Sequence, residues 1–541
     1  MQIESCRLKG GKDLDLSNLD MNVLPEEIRG IENLRSLDVS NNKLRALPDW
    51  IGEMRSLKKL KLVNTEIESL PESFGNLRNL KSLRILRGNL VRLPESFGNL
   101  VSLEKLDLGH SQPLYFPESF GNLKSLKVFK FERVYNITIE EDEKTEQPRL
   151  ELIKDDGIIY FPESFSNLSA LEELDIRGNI APLPESFGKL RSLKKLTISF
   201  LVSINYWHNG KLSATDNVRC INDFNALPES FCDLRSLEEF HITDSNIKKL
   251  PDNFGNLGAL KLLCIESTKL ESLPDSICGL PSLTYLYIFC DALADLPENI
   301  GSLKALEVMK IEGKALSSLP ESVGNLQSLT DLYLYTPQIK TLPDSIGNLS
   351  KLEEIHLMRC TELESLPETI GNLRSLKTLY IRSGKIETLP ESIGNINSLQ
   401  KLELQFTNII NLPASIGNLS NLEFLGVYGS ENFDLLGFGY PYYEQEHDIE
   451  SKSSFAFLPD TASKLVALKS LRLNNSEVTS LPDYLAKLPL LEEIEIIGCD
   501  IKSIPSAIQR LVDSKKLTLI RVEEELKPFF RRRPEGFICI N

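Results

Sequence analysis

Apolar residues along most of the chain fall in one recurring order, and residues 71–93, PESFGNLRNLKSLRILRGNLVRL, show it clearly. Leu80, Leu83 and Ile85 form L-x-x-L-x-L, which predicts a short strand whose alternate side chains point to one face. Pro71 suits the first position of a helical turn, where its missing N–H costs nothing. Phe74 and Leu77, three apart, share the inner side of that turn. Gly75 predicts that the turn stays short, as a single turn or a 3₁₀ segment. One strand and one turn bury almost nothing alone, whereas stacked copies share a continuous core.

The copies are present. A proline, nearly always after Leu or Phe, stands at 25, 48, 71, 94, 117, 162, 184, 228, 251, 274, 297, 320, 343, 367, 390, 413, 459, 482 and 505, most often 23 residues from the last. Aligned strand centres are Leu14, Leu37, Leu60, Leu83, Leu106, Phe129, Leu174, Leu196, Phe240, Leu263, Leu286, Met309, Leu332, Ile355, Leu379, Leu402, Leu425, Leu471, Ile494 and Leu517. The pattern predicts a solenoid with a parallel sheet of about 20 short strands, built from residues 14–520. Residues 1–13 read as an N-terminal cap, and 521–541, which lack the leucine pattern, as a C-terminal cap or tail.

Three steps are long, and each leaves an insertion just after a strand, within 132–160, 199–226 and 429–457. All three are predicted to leave the same edge of the array. The first alternates apolar residues at Ile137, Ile139, Leu150 and Leu152, which predicts a hairpin with an acidic tip over 140–146. The second carries Tyr206, Trp207 and His208 before Asn-Gly, and the third is rich in Gly and Tyr, Tyr442 among them. Trp207 and Tyr442 read as contact residues in long loops. Each insertion is close to one period long, so decayed repeats are the alternative, although the third contains no L-x-x-L-x-L.

The segments LPESFGKLRSLKKLTI (183–198) and LPDSIGNLSKLEEIHL (342–357) resemble the typical 23-residue class of leucine-rich repeats. The resemblance covers nearly the whole chain. The chain is similar to plant intracellular Ras-group leucine-rich-repeat proteins and to animal Ras-pathway scaffolds. It implies an α/β solenoid, a curved right-handed superhelix with a concave parallel sheet and a convex face of short helical or 3₁₀ turns. It also implies a protein partner, a small GTPase or other signalling protein, and no cofactor. The family sets Asn, Thr, Ser or Cys three residues after the last strand leucine, to bond the backbone of adjacent loops. Asn42, Thr65, Ser111, Asn179, Ser245, Thr268, Thr407, Ser476 and Cys499 comply, while Gly88, Lys314, Pro337 and Gly384 do not. That predicts an interrupted ladder between about residues 310 and 390.

With the leucines committed to the core, function falls to the outward strand positions and the insertions. Early units carry Lys61, Arg84, Arg87, Lys130 and Arg133, with Asp15, Asp38 and Asp107 among them: a basic patch, or a solvated face of mixed charge. Later units carry Tyr285, Tyr287, Phe289, Tyr333, Tyr335, His356, Tyr380, Phe406 and Tyr428. Tyrosine offers large area, few rotamers to freeze and a polar tip, which suits a partner-binding face. Strand rings that merely stack on one another are the alternative.

Composition narrows the classes. A net charge of −16 argues against nucleic-acid binding, which needs a basic footprint. The nine cysteines are scattered, with neither zinc spacing nor a disulfide framework. The five histidines have no metal-spaced partners, and no phosphate-binding glycine loop or G-x-S-x-G occurs, so neither a metal nor a catalytic site is expected. No apolar run has signal-peptide or membrane-span length, so a cytoplasmic location and no integral membrane segment are expected. A chain whose signal had been removed would look the same. The expectation is a non-enzymatic scaffold or adaptor that binds a protein on its concave sheet and edge insertions. The alternative is a secreted or surface ligand-sensing protein or effector.

Overall fold

The computed structural model describes residues 2–8, 10–110, 115–138, 158–208, 211–219, 224–267, 269–382, 384–429, 453–501, 505–513, 516–517, 519–523 and 536–540. These divide into two units, Met1–Leu283 and Thr284–Asn541. Each is a leucine-rich-repeat array of parallel strands and 3₁₀ turns.

In the first unit the strands pair in register through Leu14, Leu37, Leu60, Leu83, Leu106, Phe129, Leu174, Leu196, Phe240 and Leu263. In the second the register runs through Leu286, Met309, Leu332, Ile355, Leu379, Leu402, Leu425, Leu471 and Ile494. These are the centres that the period predicts, because a two-residue alternation fixes which side chains face the core.

Local geometry refines the unit. Pro71 is extended (φ −69°, ψ 154°) and stands just before the 3₁₀ turn Glu72–Asn76; its carbonyl accepts the Phe74 N–H at 2.9 Å. The proline therefore launches the turn from outside it. Gly75 has a packing role that the sequence reading missed. A Cβ there would lie 2.3 Å from the Ser96 carbonyl oxygen of the next repeat, and Gly324 meets Ser345 in the same way. The glycine lets adjacent turns approach closely.

The polar ladder is bonded at some positions and not at others: the buried Thr65 and Thr407 hydroxyls, which match the pattern, have no hydrogen-bond partner among the described residues. Asn42 donates to the carbonyls of Leu16 and Val39 at 2.8 Å and accepts from Leu19 and Met21 N–H. In repeats of this kind the residue just before the ladder position has positive φ, as at Asn41, Asn64, Asp244, Arg359, Phe406 and Asn475. Between residues 267 and 336 the corner is one residue shorter, and the buried Ser267, Cys290 and Thr336 occupy the turn. Thr336 thus takes the place expected of Pro337, whereas the residue one place before Lys314 is Gly313, so the predicted interruption holds there, and the sheet keeps its register from Met309 through Leu379 all the same. Ser111 and Thr268 lie outside the described residues.

The last strand differs from its predicted position. Ile520, not Leu517, is the register partner of Ile494. The 3₁₀ turn is replaced there by the α-helix Ser506–Asp513, which rises about 1.5 Å per residue instead of about 2.0 and so uses more chain before the next strand. The strand Gly536–Ile540 then pairs with Leu519–Glu523, so sheet continues into the segment read as a cap or tail. At the other end, the helix Gln2–Leu8 precedes the first strand.

The second insertion is a hairpin. Strands Leu201–His208 and Lys211–Arg219 pair antiparallel, which excludes a decayed repeat for these residues. The strand Val128–Thr138 runs past the main sheet, and its far end pairs in parallel with the hairpin, Tyr135 with Ile204 and Ile137 with Tyr206. This closing of ranks is allowed because the strand between them, Glu173–Arg177, stops at Gly178 (φ 142°). The first two insertions therefore do leave one edge together. The predicted acidic tip at 140–146, Leu150, Leu152 and most of the third insertion, including Tyr442, lie outside the described residues.

Candidate functional site

The outward face of the second unit forms three rows along its strands. Middle-row neighbours are Tyr287, Lys310, Tyr333, His356, Tyr380 and Glu403. One flanking row runs Tyr285, Val308, Asp331, Glu354, Thr378, Lys401 and Phe424. The other includes Phe289, Glu312 and Tyr335, and later Arg382, Gln405 and Tyr428. The predicted strand aromatics are thus gathered on one face.

Their packing is specific. Tyr333 stacks on His356 with ring centroids 4.5 Å apart, and His356 on Tyr380 at 5.9 Å. Tyr285 and Tyr287 lie at 6.3 Å, tilted. The Lys310 ammonium stands 5.4 Å from the Phe289 ring and 5.3 Å from that of Tyr335. Arg382 lies 4.6 Å over Phe406, and Lys401 and Arg472 lie 5.1 and 5.2 Å from Phe424. Tyr428 folds back over Gly426, where a Cβ would come within 2.5 Å of its hydroxyl. Such pairs help rings tolerate a wet surface by satisfying their quadrupoles.

The polar atoms converge at one place. Tyr333 donates its hydroxyl proton to Glu354 Oε2 at 3.0 Å, and that hydroxyl is 3.5 Å from Asp331 Oδ1. His356 Nε2 is 3.2 Å from the same Glu354 oxygen, and Thr330 donates to Asp331 at 2.6 Å. Burial pushes the His356 imidazole below its ordinary pKa against the pull of Glu354, so the ring is neutral near pH 7. Burial, reinforced by Glu354, holds the Tyr333 hydroxyl protonated.

Some sequence candidates are repositioned. Tyr380 is only 4% exposed, its hydroxyl bonded to Gln405, so it supports the face from beneath and offers little surface to a partner. Phe406 has φ 53°, a conformation that Asn or Gly takes with least strain, and Phe is an outlier there. Asp331 and Glu354 were not singled out by sequence, because an isolated acid on a strand carries no signal until its neighbour across the sheet is known. Trp207 lies in the hairpin of the first unit.

The basic patch dissolves in the first unit. Lys61 pairs with Asp38 at 3.0 Å, Arg84 with Asp107 at 2.9 Å and Lys130 with Glu173 at 2.7 Å. Arg133 is 4% exposed, and Arg87 stands exposed at a positive-φ corner. Register brings acids and bases together on adjacent strands, giving a face of mixed charge.

Among the described residues, no group of three His, Cys, Asp or Glu side chains is placed to hold a metal, and no helix is long and apolar enough to cross a membrane. A leucine-rich repeat region model matches residues 13–155, 275–364 and 356–436, together more than half the chain, and a leucine rich repeat model matches 226–293. No match was found among curated proteins. Among solved structures, the Toll–Spatzle complex of Drosophila gives a TM-score of 0.55 at 18% identity, covering 98% of this chain and 57% of that one. The leucine-rich-repeat ectodomain of the Arabidopsis thaliana receptor kinase GASSHO1/SCHENGEN3, solved with CASPARIAN STRIP INTEGRITY FACTOR 2, gives 0.50 at 21%, covering 95% and 58%. A leucine-rich-repeat protein of Leptospira interrogans gives 0.47 at 22%, covering 95% and 97%. This chain spans a little over half the length of the first two, and at these identities the likeness is one of fold.

Proposed function

The chain belongs to the leucine-rich-repeat family, and from that premise we propose that it is a binding module whose second unit presents the outward face around Tyr285, Tyr287, Tyr333 and His356 to a partner protein. The observation that carries this reading is the gathering of Tyr and His rings on the solvent side of a sheet whose core needs none of them. Tyr285 is 37% exposed, and Tyr287, Phe289, Tyr333 and Tyr335 are half-buried, so apolar area is left for another surface to cover. The solved relatives bound to Spatzle and to a plant integrity factor support ligand binding as the general role.

Scaffolding in a signalling pathway is the finer part of the proposal, with the hairpin at Trp207 as a second contact region. A small GTPase is one partner class, on the sequence resemblance alone. A cytoplasmic setting is supported by Cys6, Cys232, Cys264, Cys278, Cys290, Cys360 and Cys499, none of which is in a disulfide.

The test is a pulldown from lysate of the source organism, comparing wild type with the double variant Tyr285→Ala, Tyr333→Ala by mass spectrometry. A protein retained by wild type and lost by the variant is the expected result. Equal recovery by both would remove this face from the reading.

A further inference from the structure

The face supplies its own cations nearly everywhere. Phe289 and Tyr335 have Lys310, Phe406 has Arg382, and Phe424 has Lys401 and Arg472. Its acids are matched likewise: Glu403 lies 2.7 Å from Lys401, Glu495 2.7 Å from Arg521, and Glu493 4.0 Å from Arg472. In the first unit Asp38, Asp107, Glu173 and Glu239 likewise pair with Lys61, Arg84, Lys130 and Lys195.

One pair of neighbouring acids on this face has no such partner among the described residues. Asp331 and Glu354 are direct neighbours on adjacent parallel strands, about 4.8 Å apart in backbone. Like charges directly across a sheet repel. Among the described residues no lysine or arginine forms an ion pair with either, and their polar partners are the neutral Tyr333, His356 and Thr330. Lys310, next to Tyr333 in the middle row, is 8% exposed and lies against Phe289 and Tyr335. Tyr333 and the exposed Tyr285 are rings with no internal cation over them among the described residues. The Glu354 side chain is 39% exposed, so the carboxylate pair faces outward.

Two adjacent carboxylates beside open tyrosine rings lack a positive group, on a face where Glu403, Glu493 and Glu495 each have a cation within 4.0 Å and Phe289, Tyr335, Phe406 and Phe424 have one over the ring. We propose that the partner supplies it: an arginine side chain that bridges Asp331 and Glu354 and lies against Tyr333. Arginine fits better than lysine because its planar fork has five donors, enough for two carboxylates at once, and it stacks on aromatic faces. The Tyr333 and His356 hydrogen bonds hold Glu354 in place for it. This inference rests on the partner-binding reading of the same face and specifies the chemistry that the face selects.

The test pans a random dodecapeptide display library on the full-length protein, then measures enriched synthetic peptides by calorimetry. Three variants are compared with wild type: Asp331→Asn with Glu354→Gln, Tyr285→Ala, and Asp331→Lys with Glu354→Lys. Arginine enriched at one position, with affinity falling about tenfold or more on peptide Arg→Lys and in the Asn/Gln variant, is the expected result. The double lysine variant should then enrich Asp or Glu at that position.

Peptides that lose binding in Tyr285→Ala but show neither arginine enrichment nor sensitivity to the Asn/Gln variant would overturn the cation site and leave the face as a binding surface. Peptides indifferent to all three variants, or no enrichment at all, would overturn both. The unliganded Asn/Gln variant gives an independent check. Relieving the repulsion should leave its melting temperature unchanged or raised, and a clear drop would show that the carboxylates serve the fold.

Discussion

In residues 1–283 the turn position that enters the core is phenylalanine at Phe74, Phe97, Phe120, Phe165, Phe187, Phe231 and Phe254 and isoleucine at Ile28, Ile51 and Ile277, all fully buried, while the outward strand positions mix paired acids and bases. In residues 284–541 the same inner position holds Ile300, Val323, Ile346, Ile370, Ile393 and Ile416, also fully buried, and the rings have moved outside. Either residue type seals the core, so the core does not require outward aromatics. Inside, each ring packs flat on its counterpart one repeat away, as Phe74 on Phe97 at 6.2 Å and 3° and Phe97 on Phe120 at 6.1 Å and 2°. Outside, rings are covered by cations and by each other, and the cover is incomplete at Tyr285 and Tyr333. Among the described residues the first unit pairs Lys61, Arg84 and Lys130 with acids on its own outward face, while the second leaves Tyr285 and the Glu354 side chain exposed on its outward face.

The largest effect should come from breaking the inner stack. Phe120→Ala removes a ring that touches Phe97, Phe129 and Phe165, and should destabilise the first unit by about 3–5 kcal/mol. Urea unfolding followed by hydrogen exchange should show early loss of protection within residues 1–283. A uniform loss across both units would show that they melt as one.

A smaller effect, of opposite sign, should come from the outer aromatics. Phe406 occupies a positive-φ corner that costs a residue with a Cβ about 1–2 kcal/mol, and Asn tolerates it better. Phe406→Asn gives up its contact with Arg382, about 0.5–1 kcal/mol, so a net stabilisation of up to about 1 kcal/mol is expected in thermal melts. Reduced partner binding in the same variant would identify the ring as one retained for contact. A destabilised variant would place it with the inner rings as a structural group.

The gentlest probe is pH. His241 of the first unit, near Glu239, Lys195 and Asp175, and His356 of the second, near Glu354, Lys401 and Glu403, are both pushed below the ordinary histidine pKa, chiefly by burial. A depressed folded pKa means that the unfolded chain binds more protons as the solution acidifies. Their contribution is therefore full above about pH 6.5 and is lost as the pH falls through the lowered folded values. His356→Gln should flatten the acid-side loss in melting temperature for the second unit and leave that of the first unit unchanged.

Sequence made most of the fold legible because the period of the leucines and the strand alternation are local properties of the chain. It placed nineteen of the strand centres at their register positions, Leu14 through Ile494, and missed at Leu517, where an unforeseen α-helix uses extra residues. It gathered Tyr285, Tyr287 and Tyr333 correctly because outward positions follow from the same alternation. It overcounted the basic patch because charge pairing across strands depends on what stands 23 residues away and on which rotamers meet.

What the sequence by itself determined is the repeat: leucines buried at a period of mostly 23 residues, and a turn after the proline of each repeat. The tertiary structure alone decided what the variable positions do, because stacking converts a separation of one period into a neighbour about 4.8 Å away. Only then do Lys130 and Glu173 neutralise each other, Tyr380 sink beneath its row, the Val128–Thr138 strand meet the hairpin past Gly178, and Asp331 and Glu354 stand side by side without a cation between them.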